Sequence, residues 1–305
     1  MGRHVAVLMG GWSAEREVSL VSGQACAAAL ARVGYRVTPV DVGRDLPEVL
    51  ARVRPEVCFN ALHGRWGEDG CVQGLLELMG IPYTHSGVMA SSIAMDKPVA
   101  KRVFAGAGLR CPPGELIGRE DAATRGMPFP APYVIKPRNE GSSVNVRLVF
   151  KGDNYDPAAP GAWSWGAEAL TEPYIPGREI HVAVMGERAL GAVEIQPHGR
   201  FYDYDAKYME GRATHLMPAP IDAKAYEEAL AMALAAHNAL GCRGVSRADL
   251  RYDDTVGEPG TLYLLEVNTQ PGMTPLSLVP EIAQAQGIGF DALVDWIVED
   301  AGCER

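Results

Sequence analysis

Apolar positions along the first ninety residues follow two alternating rhythms. Val5-Ala-Val-Leu-Met9 is a short unbroken apolar run that stops at Gly10-Gly11. That pattern predicts a buried parallel strand ending in a tight turn. Val18, Val21, Ala25, Ala28 and Ala29 then recur at near-helical spacing up to Gly34, predicting a helix with a glycine stop. Residues 37–40 and 57–61 read as further strands. Val72, Leu75, Leu76 and Met79 fall at i, i+3, i+4 and i+7 before Gly80, predicting another helix. Alternation of this kind favours an α/β, doubly wound parallel sheet, whose ligands lie beyond the C-terminal strand ends. Here those ends are Gly10-Gly11-Trp12-Ser13 and Leu62-His63-Gly64.

The pattern changes near Asp96. Residues 97–106 read as a helix, Pro112-Pro113-Gly114 breaks the chain, and Tyr133-Val-Ile-Lys136 reads as a strand leading into the turn Glu140-Gly-Ser-Ser143. Residues 153–166, rich in Pro, Ala and Trp, show no period that assigns them. A hairpin is predicted over 179–185 and 189–195 through Gly186-Glu187. A long helix over 222–240 has Asp222 as its cap and Gly241 as its stop. Strands over 247–252 and 262–268 follow. Phe290, Leu293, Val294, Ile297 and Val298 form the stripe of a closing amphipathic helix.

Composition narrows the class. The chain has 305 residues, 47% of them apolar and 22% charged, enough for a full core and about two domains on length alone. A net charge of −10 argues against a general nucleic-acid binder, which would carry a basic stripe. The six cysteines form no C-x-x-C pair, as expected of reduced structural thiols rather than a disulfide or zinc framework. No signal-like segment opens the chain, and no run approaches the roughly 18 apolar residues of a membrane span. A soluble cytoplasmic protein without membrane or nucleic-acid partners is expected.

The strongest chemical signal is acidic. Strand alternation puts Glu266 and Asn268 of Leu264-Leu-Glu-Val-Asn268 on one side, and Arg247, Asp249 and Arg251 share one face of their own strand. If the two strands are neighbours, Asp249, Glu266 and Asn268 bring three hard oxygen ligands together, a set that suits Mg²⁺. The alternative is a solvated polar face on two edge strands. A second signal is cationic: Lys97, Lys136 and Lys207 each stand beside a strand end, turn or helix start. The turn after Lys136 brings Gly and Ser backbone where phosphates could approach. The chain has neither a Walker A loop nor the third glycine of a G-x-G-x-x-G turn.

Longer motifs carry a family resemblance. Gly10-Gly-Trp-Ser-Ala-Glu-Arg-Glu-Val-Ser-Leu20, Ala61-Leu-His-Gly-Arg-Trp-Gly-Glu-Asp-Gly70, Gly87-Val-Met-Ala-Ser91 and Met95-Asp-Lys97 resemble, in order, the first blocks of the D-alanine–D-alanine ligases of the ATP-grasp superfamily. Ile135-Lys-Pro-Arg-Asn-Glu-Gly-Ser-Ser143, Phe201-Tyr-Asp-Tyr-Asp-Ala-Lys-Tyr208 and Glu266-Val-Asn-Thr-Gln-Pro-Gly-Met-Thr274 resemble the later ones. The match spans nearly the whole chain. It implies an ATP-grasp fold, α/β with an α+β ATP-grasp part, divided into an N-terminal α/β substrate domain (1–95), a central lid (96–175) and a C-terminal mixed-sheet catalytic domain (176–305).

The resemblance also implies roles. Lys97 and Lys136 would contact the ATP phosphates, with Ser143 in the phosphate turn, and Lys207 would reach the γ-phosphoryl. Glu172 and Ile175 would lie at the adenine and Glu179 at the ribose. Asp249, Glu266 and Asn268 would hold two Mg²⁺ ions, with Mn²⁺ as an alternative. Arg247 and the Gly272 N–H would form an oxyanion hole. Glu15 would receive the first D-alanine's ammonium, and Ser277 with Leu278 the second D-alanine's carboxylate. Glu15, Ser142 and Tyr208 would form a hydrogen-bonded triad. His63 would stand near the substrate; a purely structural histidine is the other reading. Tyr208 favours an amine acceptor, since D-alanine–D-lactate ligases typically carry Phe there. Every metal ligand and phosphate lysine is present, against a nucleotide-binding relic without turnover. Two departures are Pro173, which lacks an N–H, and Gln270, where Ser is common. A homodimer is expected.

Overall fold

The computed structural model describes residues 2–141, 145–199 and 211–304. Strands β1 (His4–Met9), β2 (Arg36–Asp41) and β3 (Val57–Asn60) form a parallel sheet in the order β2-β1-β3. Between them run helices α1 (Arg16–Arg32) and α2 (Leu46–Val53), and α3 (Cys71–Met79) and α4 (Val88–Met95) follow β3. All six residues of β1 are buried, as a central parallel strand covered on both faces requires.

Helix α5 (Lys97–Gly106) leads into a four-stranded antiparallel sheet of β4 (Glu115–Gly118), β5 (Tyr133–Pro137), β6 (Arg147–Val149) and β7 (Glu168–Pro173), in the order β4-β7-β5-β6. The short helix α6 (Arg119–Arg125) follows β4. A third, antiparallel sheet has the order β10-β9-β8-β11-β12: β8 (Arg178–Met185), β9 (Arg188–Pro197), β10 (Ala213–Leu216), β11 (Val245–Asp253) and β12 (Thr261–Asn268). Helix α7 (Ala223–Leu240) lies before β11, and α8 (Leu278–Ala285) and α9 (Phe290–Glu299) close the chain.

The large antiparallel sheet is buried on both faces. Ala229, Met232, Ala233 and Ala236 of α7 pack on Ile180, Val182, Leu250 and Leu264. The opposite face carries Ala183, Val193 and Ile195, which share a core with Ile282 of α8, Leu293 and Ile297 of α9, and Leu30 of α1. One apolar core therefore joins the first sheet to the third. Arg32–Asp291 and Tyr35–Asp295 hydrogen bonds tie α1 and its exit to α9 at the rim.

Helix α7 is capped as its sequence predicts: the Asp222 carboxylate accepts from the Lys224 and Ala225 N–H groups at 2.9 and 3.3 Å, and Gly241 stops it in the left-handed region. In its last turn, His237 lies buried with Nδ1 2.7 Å from Ser246 Oγ. Burial, with Arg243 adding, pushes its pKa from 6.5 down to about 4. Between these values the unfolded chain binds a proton that the folded chain refuses, so this histidine contributes stability above about 6.5 that is lost as pH falls toward 4. Denaturant titrations over that window should show stability rising with pH, with a flatter rise in His237→Asn.

Candidate active site

Four loops and two sheets converge on one cleft. At the end of β1, Gly10 and Gly11 take φ of 77° and 75°, and a Cβ on Gly10 would lie 2.2 Å from Asp41 Oδ1. Glycine is required here. The turn delivers Glu15 to the start of α1, where it is buried. His63 follows β3, buried, with Nδ1 3.2 Å from Glu68 Oε1 and Nε2 2.9 Å from Ser22 Oγ. The Met273 N–H also donates to Ser22 Oγ at 3.3 Å. His63 is thus held at both nitrogens while lining the cleft with Glu15 and Glu68. Structural restraint and a place at the cleft are both satisfied.

The cationic side comes from the middle of the chain. Lys97 begins α5, whose start is capped by Asp96 accepting from the Val99 N–H at 3.1 Å. Its Nζ donates to the Glu140 carbonyl at 2.6 Å and stands 3.2 Å from Glu266 Oε2. Lys136 Nζ on β5 stands 2.6 Å from Glu172 Oε2, and Lys101 pairs with the other carboxylate oxygen. Burial opposes charge on Glu172, yet Lys136 and Lys101 outweigh it and hold its carboxyl below the usual range. Burial holds Lys101 below its ordinary value, aided by Lys136 and opposed by Glu172.

The acidic side lies on the third sheet. Strands β11 and β12 are antiparallel neighbours, with Asp249 opposite Glu266 and Arg247 opposite Asn268. The three oxygen donors therefore share one face, and β11 is an interior strand rather than an edge. Arg247 Nε and Nη2 donate to the two Asp249 oxygens at 2.6 and 2.8 Å, and His181 Nδ1 stands 2.8 Å from Asp249 Oδ1. Burial alone would raise the Asp249 carboxyl; Arg247 and His181 hold it well below the usual range. Burial pulls the His181 pKa down, but Asp249 and Glu179, the latter 3.0 Å from its Nε2, outweigh it and raise it. Asn268 Oδ1 accepts from the Gln270 N–H at 2.9 Å. Two carboxylates and an amide are the donors a hard divalent cation takes, and Asp249 Oδ2 and Asn268 Oδ1 each keep a further lone pair. Among the described residues no three His, Cys, Asp or Glu side chains cluster this way, so the set depends on Asn268.

Two cavities meet at these groups. One, of about 390 Å³, lies between the second and third sheets and is lined by Lys136, Glu172, Ile175, Glu179, Asp249 and Arg251 among others. The other, of about 70 Å³, is lined by Glu15, His63, Arg247, Gly272, Ser277 and Leu278 among others. Lys97, Glu140, Gly141 and Glu266 line both. Gly272 is constrained by contact: a Cβ would lie 2.8 Å from Ser277 Oγ. Ser277 precedes α8, and its Oγ accepts from the Thr274 N–H at 2.9 Å.

Of the expected site residues, Ser142, Ser143, Lys207 and Tyr208 lie outside the described residues; the others line one cavity or both. Glu68, Lys101 and His181 were not singled out from the sequence; Glu140 entered only as the start of the turn after Lys136, and one departure marked Gln270. Its Oε1 accepts from Asn60 Nδ2 at 2.5 Å and its Nε2 donates to the Leu62 carbonyl, joining the first sheet to the loop after β12. Gln270→Ala should cost about 1–3 kcal/mol by leaving buried partners unpaired, measured as a lower denaturant midpoint.

A four-stranded sheet facing a five-stranded one, with Lys136 from the first, Lys97 from α5 and paired carboxylates from the second, defines an ATP-grasp enzyme. Family models described as the D-ala D-ala ligase N-terminus and C-terminus match residues 46–86 and 120–299. A D-alanine–D-alanine ligase of Parvibaculum lavamentivorans is 58% identical over 305 residues, covering 99% of each chain. Two solved D-alanine–D-alanine ligase structures from Bacillus anthracis are similar, each covering 98% of this chain and 97% of its own. One has a TM-score of 0.82 at 32% identity; the other, complexed with ATP, has 0.81 at 29%. The chain belongs to the D-alanine–D-alanine ligase family.

Proposed function

We propose that this chain joins two D-alanines into D-alanyl-D-alanine for peptidoglycan synthesis, using ATP and releasing ADP and phosphate. The supporting observation is the pair of adjoining cavities that share Lys97 and Glu266. A carboxylate oxygen of the first D-alanine attacks the γ-phosphorus, ADP leaves, and an acylphosphate forms. The second D-alanine's amine then attacks the acyl carbon, and the tetrahedral intermediate expels phosphate as the nitrogen loses its proton. Both steps gather negative charge, so positioning and electrostatic stabilisation carry the catalysis.

This chain's residues divide that work. Lys97 and Lys136 neutralise phosphate oxygens, with Lys207 at the transferring group and Ser143 in the phosphate turn. Glu172 and Ile175 border the adenine and Glu179 takes the ribose hydroxyls. Arg247 and the Gly272 N–H face the tetrahedral oxyanion. Glu15 binds the first substrate's ammonium, with His63 beside it, and Ser277 and Leu278 at the start of α8 bind the second substrate's carboxylate. Glu15, Ser142 and Tyr208 would form the triad that the family resemblance implies. Asp249, Glu266 and Asn268 would hold two Mg²⁺ ions, or Mn²⁺, which when bound screen charge along the phosphates.

The three segments act as an N-terminal substrate domain (1–95), a lid (96–175) and a catalytic domain (176–305), in a cytoplasmic homodimer. Among the described residues no helix is long and apolar enough to cross a membrane. Phosphate release measured with D-alanine, with L-alanine and without amino acid tests the function. Release that depends on D-alanine supports it; release indifferent to the amino acid, or none, refutes it. Competition between D-alanine and D-lactate as acceptors tests the preference assigned to Tyr208.

A further inference from the structure

Five side chains form a continuous line along one face of β8 and β11. Arg247 donates twice to Asp249, Asp249 meets His181 Nδ1 at 2.8 Å, and His181 Nε2 meets Glu179 Oε1 at 3.0 Å. Glu179 Oε2 then lies 3.7 Å from Arg251 Nη1. Strand register builds the line: Asp249 stands opposite His181 and Arg251 opposite Glu179. Its ends face different cavities, Arg247 the small one, Glu179 and Arg251 the large one. His181 is 1% exposed and lines neither. With Glu179 hydrogen-bonded at Nε2 and Asp249 in contact at Nδ1, each acid limits the position of the other through a rigid planar ring.

We propose that His181 is a positioning residue that couples the two cavities: ligand contact at Glu179 sets the position of Asp249, and through it the Arg247 guanidinium. The proposal rests on the ligase reading above for the identity of the two ligands. Lys97 with Glu266 offers a second physical link between the cavities, and that link stays intact when His181 alone is changed.

The test is calorimetric titration of purified wild-type protein, His181→Asn and His181→Gln with Mg²⁺ present. A non-hydrolysable ATP analogue is titrated with and without D-alanine, and D-alanine with and without the analogue. In the wild type each ligand should strengthen the other by the same factor, within about 5- to 150-fold. In the variants that factor should fall to less than 2-fold, while each ligand bound alone keeps its affinity within about 3-fold. Gln preserves more side-chain bulk should Asn fail to fold; if neither variant melts cooperatively, His181 is a structural residue and the proposal is overturned. Coupling retained in a folded variant overturns it by assigning the link to Lys97 and Glu266. Loss of the separate affinities along with the coupling also overturns it, as does a wild type with no coupling. Failure of the ligase reading looks different: the wild type would then bind neither ligand and release no phosphate with D-alanine.

Discussion

Glu266→Ala should lower D-alanine-dependent phosphate release by about 10³-fold, the scale of losing a preorganised electrostatic contact, while barely moving the melting temperature. The side chain is 28% exposed on the edge strand β12, so truncation opens no cavity in the core. Its effect is electrostatic. Glu266 stands opposite Asp249, 3.2 Å from Lys97 Nζ, where the two cavities join. Removing its charge would weaken the proposed hold on divalent cations and take away one partner of Lys97, whose Nζ also donates to the Glu140 carbonyl. Glu266→Gln keeps the shape and loses the charge. Turnover near wild type in the purified Gln variant would sink the electrostatic role.

Glu172→Ala should give the largest loss of stability, about 3–5 kcal/mol, because it breaks a buried ion cluster on one side only. Lys101 and Lys136, with side chains 12% and 9% exposed, would face each other without their shared counterion. Lys101 is already held below its ordinary pKa, so the variant sheds a proton there rather than carrying two buried charges. The wild-type pH dependence follows from the lowered Glu172 carboxyl. Its contribution is present above the ordinary carboxylate range and is lost as pH falls through the folded value. Chemical denaturation at neutral and acid pH checks both points: wild type and variant should differ most near neutrality and converge in acid. Equal midpoints at pH 7 would contradict the cluster's structural weight.

Periodicity located β1, the β8–β9 hairpin, α7, β11, β12 and α9, and the cap residues Asp222 and Gly241 marked the ends of α7. In α1 it found the helix but not its buried face, since Val21 and Ala28 are exposed while Ser19, Ser22, Gly23 and Cys26 are buried. It missed α2, α4, α6 and α8, each of seven or eight residues, too short for a period to repeat. It also missed β4, β6, β7 and β10. In β7 the run Glu168-Ala-Leu-Thr-Glu-Pro173 mixes charge with small residues, yet four of its six positions are buried. Glu172 is one of them, tolerated because two lysines from other elements neutralise it. No local pattern announces such a residue. His181 and Gln270 were hidden similarly, since their partners lie 68 residues away at Asp249 and more than 200 away at Asn60 and Leu62.

By itself the sequence determined the ligase family and the strand faces that carry Asp249, Glu266 and Asn268, because these depend on residue identity and a period of two. Which strands are neighbours, which charges neutralise each other and where the two cavities join depended on chain segments far apart in sequence. Only folding the three sheets around shared cores brought those segments within hydrogen-bonding reach, and that proximity turns separate motifs into one site.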